Sequence, residues 1–303
     1  MKQLLLLVGF YCVATCLQAQ ALPEVYASQG QMILTQFNTA PFPHPKRAEG
    51  HTYQGKKYPA KEHYSDSTVA IFIPKGFRET GRVDLLVHFH GWFNDVAGTL
   101  AGYKLIDQLM ASGRNVVLVV PEGPRKAPDS FGGKLEDDGG FKRFIDEVLQ
   151  TLRHQSDLTN KAFNLGDIII SGHSGGYEVM SAILDRGGLT DQIKEVWLFD
   201  GLYAQTDKFL AWVGKRQGRF IDIYTDGGGT KARSQEMIAA LKQQGIPMLA
   251  VEEKDATPSD LEAHKVIFLH TDLRHNDVLE KRQEFRRYLE TSCLGKRDTT
   301  LKE

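Results

Sequence analysis

The stretch Asp167-Ile168-Ile169-Ile170-Ser171-Gly172-His173-Ser174-Gly175-Gly176 decides the fold. Three β-branched isoleucines in a row suit a strand covered on both faces, and G-x-S-x-G at its end is the signature of a nucleophile elbow, a sharp strand-to-helix turn. Tyr177 to Arg186 then reads as the helix, closed by Gly187-Gly188. Such a turn strains the serine backbone and crowds strand against helix, so side chains at positions 172 and 176 would collide and glycine removes them. Ser174 is the candidate nucleophile. The N–H of Gly175, the residue after it, is half of a candidate oxyanion hole.

Working outward, strands alternate with helices. Strands are expected at Thr68 to Ile73, Leu85 to Phe89 and Asn115 to Val120, with helices at Thr99 to Ala111 and Gly140 to Arg153 before the elbow strand. After the elbow helix come strands at Glu195 to Phe199, Phe220 to Thr225, Met248 to Glu252 and Lys265 to Leu269. Helices at Thr206 to Arg216, Thr230 to Gln244 and Asp277 to Thr291 separate or follow them. This alternation implies an α/β fold, a doubly wound and mostly parallel sheet with helices on both faces, in one domain over 67–294. Residues 22–66, rich in Pro, His, Lys and Tyr, read as an N-terminal arm with an edge hairpin, and 295–303 as a frayed, charged tail.

The chain has 303 residues, 41% hydrophobic and 25% charged, with a formal net charge of -1. That is ordinary globular composition, and without a basic stripe it argues against nucleic acid as a partner. Met1-Lys2, the apolar run Leu4 to Leu17 and the small residues of Ala19-Gln20-Ala21 read as a signal peptide over 1–21. The expected location is therefore the periplasm or the exterior. Val13-Ala14-Thr15-Cys16 approximates a lipobox, and lipid anchoring at Cys16 is the weaker alternative, since threonine fits poorly before the cysteine. Cleavage would remove Cys12 and Cys16 and leave Cys293 alone, so neither a disulfide nor a metal site is expected.

In a doubly wound sheet, ligands bind beyond the carboxyl ends of the strands, so those ends are where chemistry is sought. Leu85 to Phe89 runs into His90-Gly91-Trp92, a turn able to aim the Trp92 N–H at a developing oxyanion. A serine hydroxyl needs a base, and the base needs a carboxylate to orient it. Of the ten histidines, His275 lies in the loop after the last strand, where Asp277 is placed to N-cap the last helix. His270 ends the strand itself, and His173 fills the variable position of the elbow. Two carboxylates compete for the acid: Asp200 ends the strand after the elbow and Asp226 ends the next one. The loop from Pro121 to Glu136 carries Glu122, Arg125 and Lys134, which with His90 are candidates for contacting a polar or anionic substrate. Gly227-Gly228-Gly229 reads as a flexible turn.

From about Thr68 to Thr291 the chain resembles the α/β-hydrolase fold of secreted esterases and lipases, on His90-Gly91, the elbow Gly172 to Gly176, and a strand-end Asp and loop His in that order. The resemblance implies an acyl-enzyme at Ser174, His275 as base and Asp200 or Asp226 as acid, with no metal or organic cofactor. The Asp200 spacing resembles the pancreatic-lipase branch. An obvious hydrophobic lid is missing, and the strand-like segment Lys265 to Leu269 is additional. An ester of a small molecule or a polymer is the expected substrate. A peptidase or amidase with the same triad, and a silent scaffold acting as a binding protein, are the rival readings.

Overall fold

The computed structural model describes residues 22–215 and 218–298. The expected signal segment, with Cys12 and Cys16, lies outside them, as do residues 299–303. In chain order the strands are β1 (Gly30–Gln36), β2 (His51–Tyr53), β3 (Lys56–Tyr58), β4 (Thr68–Pro74), β5 (Arg82–Phe89), β6 (Val117–Pro121), β7 (Asn164–His173), β8 (Ile193–Phe199), β9 (Arg219–Thr225), β10 (Leu249–Glu252) and β11 (Val266–Thr271). Nine of them form one sheet in the order β1-β4-β6-β5-β7-β8-β9-β11-β10. β4 pairs antiparallel with both β1 and β6, and every other pair in the sheet is parallel.

The isoleucine run shows why the sheet is covered on both sides. Successive strand side chains point to opposite faces, so each face needs its own apolar layer. Ile168 and Ile170 enter one core with Val196 and Leu198, while Ile169 enters the other with Trp197 and Phe199. The helices are α1 (Ala60–His63), α2 (Val96–Gly102), α3 (Leu105–Ser112), α4 (Gly140–Gln155), α5 (Tyr177–Arg186), α6 (Thr206–Gly214), α7 (Lys231–Gln243), α8 (Pro258–Ala263) and α9 (Glu284–Glu290). Helix α4 buries Phe141, Phe144, Ile145, Val148 and Leu152, the 3.6-residue spacing of a stripe facing the sheet. Helices α4 to α7 feed the first core, and α2, α3, α8 and α9 feed the second. Each large aliphatic or aromatic group so buried stabilises by roughly 1.5–3 kcal/mol.

Several expected elements differ. The arm contributes β1, which pairs with β4 over its whole length. Gly30-Gln31-Met32-Ile33-Leu34-Thr35-Gln36 lacks clean alternation because an edge strand is only partly covered. The hairpin β2–β3 turns at Gln54 and Gly55, both with positive φ. The helix expected over Thr99 to Ala111 is broken between α2 and α3, where Lys104 is left-handed (φ 50°), and the break lets the Tyr103 phenol reach His173 at 3.0 Å. The strand read as an addition is β11, an interior strand between β9 and β10; the extra edge strand is β10. After β11, His275–Asp277 is a 3-10 turn and α9 begins only past left-handed Gln283, so Asp277 does not cap it and instead accepts from Arg274 Nε at 3.0 Å. The start of the tail is docked: Gly295 O accepts from Asn115 N–H at 2.8 Å, and Arg297 N–H reaches Gly113 O at 2.9 Å.

One core carboxyl gives a pH prediction. Asp222 on β9 is fully buried, accepts from Ser234 Oγ at 2.6 Å through Oδ2, and its Oδ1 has no protein partner. Burial, and then the nearby Asp200 charge, push its pKa up to about 7 from the ordinary 3.8. Folding therefore favours the neutral acid: its contribution is intact below the ordinary value and is lost as pH rises through about 7. Asp222→Asn, which cannot ionise, should show a smaller drop in its urea midpoint between pH 5 and 8.5 than the wild type. Parallel drops in the two proteins would contradict the assignment.

Candidate active site

The sheet order reverses direction at the elbow strand: β6 lies on one side of β5 and β7 on the other. The chain segments leaving β5 and β7 therefore diverge, which opens a crevice at the carboxyl edge. Ser174 stands there at the end of β7 with φ +52°, opening a 3-10 turn that leads into α5. A non-glycine residue in this region is strained and persists only where its surroundings determine it. They do so here. A Cβ at Gly176 would lie 2.7 Å from Phe89 O, one at Gly172 2.5 Å from Met180 Sδ, and one at Gly91 2.7 Å from Ser174 Cβ. Because Phe89 O is backbone, Gly176→Ala must push α5 off β5. We expect a loss of about 1–3 kcal/mol in denaturant unfolding, as for overpacked cores; an unchanged midpoint would contradict the close approach.

Asp200 ends β8, also left-handed (φ 47°), and is fully buried. Its carboxylate accepts from His275 Nδ1 at 2.6 Å, from Thr225 N–H at 3.1 Å, from Thr225 Oγ1 at 2.8 Å and from the Thr230 hydroxyl. Burial alone would raise its pKa, but the bonds from His275, Thr230 and Thr225 outweigh it and hold the group below its ordinary value. An ionised carboxylate only accepts, so His275 Nδ1 carries the hydrogen and Nε2 keeps a free lone pair. Asp200 and His275 are thus joined directly; Gly201, next to Asp200, approaches Ser174, and His275 approaches its neighbour His173. A Cβ on Gly201 would lie 3.2 Å from Ser174 O, and the His173 and His275 rings are 4.6 Å apart.

Asp226 is elsewhere. Its side chain is 65% exposed and pairs with Lys231 Nζ at 2.5 Å and His270 Nε2 at 3.1 Å, so it is a surface partner and not the carboxylate of His275. The four expected substrate contacts are also committed to the scaffold. His90 and Glu122 are buried: His90 Nε2 lies 3.0 Å from Glu122 Oε1, and Glu122 Oε2 accepts from Val96 N–H at 3.2 Å. Burial opposes charge on His90, but the Glu122 carboxylate and the Gly91 carbonyl outweigh it and raise its pKa. Arg125 pairs with Asp66 at 3.4 Å, and Lys134 Nζ donates to Asn38 O at 2.7 Å. These groups pin the loop after β6 because its many glycines and prolines leave it few backbone bonds of its own.

Sequence reading missed the supports. His173 donates from Nε2 to His275 O at 3.0 Å and accepts from Tyr103 Oη through Nδ1; burial first, then His275, drives its pKa down to about 3, so it stays neutral. Tyr203, whose hydroxyl donates to Gly228 O at 2.7 Å, interacts with the Ser174 side chain and is pushed up to about 12 by burial and by Asp200. Gly228 had a readable signal. A Cβ there would lie 1.8 Å from Asp200 Oδ2, so the triple glycine is a close approach and not simply a flexible turn. Trp92 closes the site on the β5 side: its Nε1 donates to Ser130 Oγ at 2.8 Å, and a Cβ on Gly175 would lie 2.7 Å from its Cδ1.

No family model matches the chain, and no curated protein matches it by sequence. Solved structures do match. A ferulic acid esterase is similar at 14% identity and a TM-score of 0.53, with 86% of this chain and 99% of that chain covered. A serine-to-alanine mutant of the feruloyl esterase module from Clostridium thermocellum, complexed with sinapinate, is similar at 12% identity and a TM-score of 0.53, covering 87% of this chain and 88% of that one. At such identities the likeness is one of fold, and together with the nine-stranded sheet it gives this chain the α/β-hydrolase fold.

Proposed function

We propose that this chain is an exported serine hydrolase that cleaves a carboxylic ester through an acyl-enzyme. Ser174 Oγ attacks the ester carbonyl while His275 Nε2 takes its proton; the N–H groups of Trp92 and Gly175 stabilise the oxyanion. The C–O bond to the alcohol breaks and His275 returns the proton to the departing oxygen. Water, deprotonated by His275, then adds to the acyl group, releases the acid and restores the serine hydroxyl. Asp200 stays ionised and holds the imidazole tautomer that leaves Nε2 free. The observation that carries the reading is the 2.6 Å bond from His275 Nδ1 to a fully buried carboxylate, made beside a left-handed serine at the switch point of the sheet. The two similar structures, named as esterases, support an ester over an amide. Export rests on the sequence of residues 1–21. A panel of p-nitrophenyl esters of rising chain length, beside aminopeptidase substrates, tests it: ester turnover without amide turnover is expected. Amide turnover alone would favour a peptidase, and no turnover would favour a silent scaffold.

A further inference from the structure

Among the described residues three large hydrophobic side chains are exposed, and two of them are consecutive, on the turn whose Gly91 packs against Ser174: Trp92 at 39% and Phe93 at 54%. An apolar pair left in water at a strand end needs a reason. Phe93 is moreover left-handed (φ 58°), a strained state for a bulky residue, held by its N–H bond to Ala127 O at 3.1 Å and by Lys126 N–H to Asn94 O at 2.8 Å. The hairpin buttresses the pair: Tyr53 meets Trp92 edge-on at 5.2 Å, and Tyr58 lies 6.4 Å from Phe93. With Trp92 and Phe93 themselves at 86°, the rings form a corner whose Trp92 side lies against Gly175.

Polar groups on the adjoining loop, and the indole itself, are committed. Lys126 pairs with Asp95 at 3.1 Å, Arg125 with Asp66 at 3.4 Å, and the indole N–H with Ser130. A sugar ring would find aromatic faces but few partners for its hydroxyls, whereas an arene needs only the faces. On the far side of Ser174 the ends of β9 and β11 enclose a hollow of about 400 Å³ beside His275. Its lining includes the charged side chains of Arg274, Asp272 and Asp226, all well exposed and able to meet a hydroxyl. The leaving group must depart toward the imidazole that protonates it, so the alcohol belongs in that hollow and the acyl group on the opposite, aromatic side.

We propose that Trp92 and Phe93, backed by Tyr53, form an acyl-group subsite that takes an arene-bearing acyl chain, with a hydroxylic alcohol on the His275 side. The proposal rests on the ester hydrolase reading, and its test separates the two. Methyl 3-phenylpropanoate and methyl butanoate are compared by pH-stat, so that the alcohol is constant. The wild type should prefer the aryl ester in kcat/KM by about tenfold, and Phe93→Asn, a residue that tolerates the left-handed backbone, should remove most of that preference. Tyr53→Leu on the hairpin should act in the same direction and carries the test if Phe93→Asn does not fold. Binding is read without chemistry in Ser174→Ala by tryptophan fluorescence, since Trp197 and Trp212 are buried and Trp92 is exposed. Saturable quenching by methyl 3-phenylpropanoate is expected, weakened about tenfold by Phe93→Asn. Ester turnover with no aryl preference, or a preference that neither variant moves, overturns the subsite and leaves the hydrolase standing. Saturable quenching that Phe93→Asn weakens, in a protein that turns over neither ester, upholds the subsite and removes the hydrolase. Absence of saturable quenching overturns the subsite.

Discussion

Ser174→Ala should lower ester turnover by about six orders of magnitude, the scale on which removing the nucleophile of a serine triad acts. The fold should survive, because a small side chain replaces a small one and the tight contacts around the elbow are made by Gly91, Gly172 and Gly176. The measurement is kcat on the best ester found, with thermal unfolding of the variant run alongside. A rate within about tenfold of wild type in a folded variant would mean that the strained serine is not the nucleophile.

The second large effect separates the carboxylates. Asp200→Asn should cost about 10⁴ in kcat, because an amide in place of the carboxylate favours the wrong imidazole tautomer. Asp226→Asn should cost no more than a few-fold: its carboxylate is exposed and bound to Lys231 and His270. The two bonding patterns make the gap large, since Asp200 is fully buried among hydroxyl donors and has no other charged partner among its hydrogen bonds. Comparable losses in both variants, or a larger loss at Asp226, would reverse the assignment.

Much of this was legible in the chain because it rests on local rules. Three isoleucines feeding two cores, and glycines where strand meets helix, are dictated by side-chain alternation and by collision, both visible at fixed spacing. The choice between Asp200 and Asp226 was not legible. Both end parallel strands before glycine, and only the register of β8, β9 and β11 decides which one faces His275. The same blindness covers the loop after β6, where Glu122, Arg125 and Lys134 look free in sequence and find partners only across long sequence separations. The role of His173 was hidden for a related reason. The elbow motif tolerates any residue at that position, and its role appears only when the loop bearing His275 folds back onto it. Edge strand β1 and the broken helix at Lys104 were obscured by weak periodicity, where tertiary pairing overrides local pattern.

The most direct test of the account is covalent labelling. The protein, in wild-type and Ser174→Ala forms, is treated with a fluorophosphonate, and peptide mass spectrometry locates the adduct. The account predicts one phosphonyl adduct on the peptide that contains Ser174 and none in the variant; an unlabelled wild type, or an adduct that persists in Ser174→Ala, would contradict it.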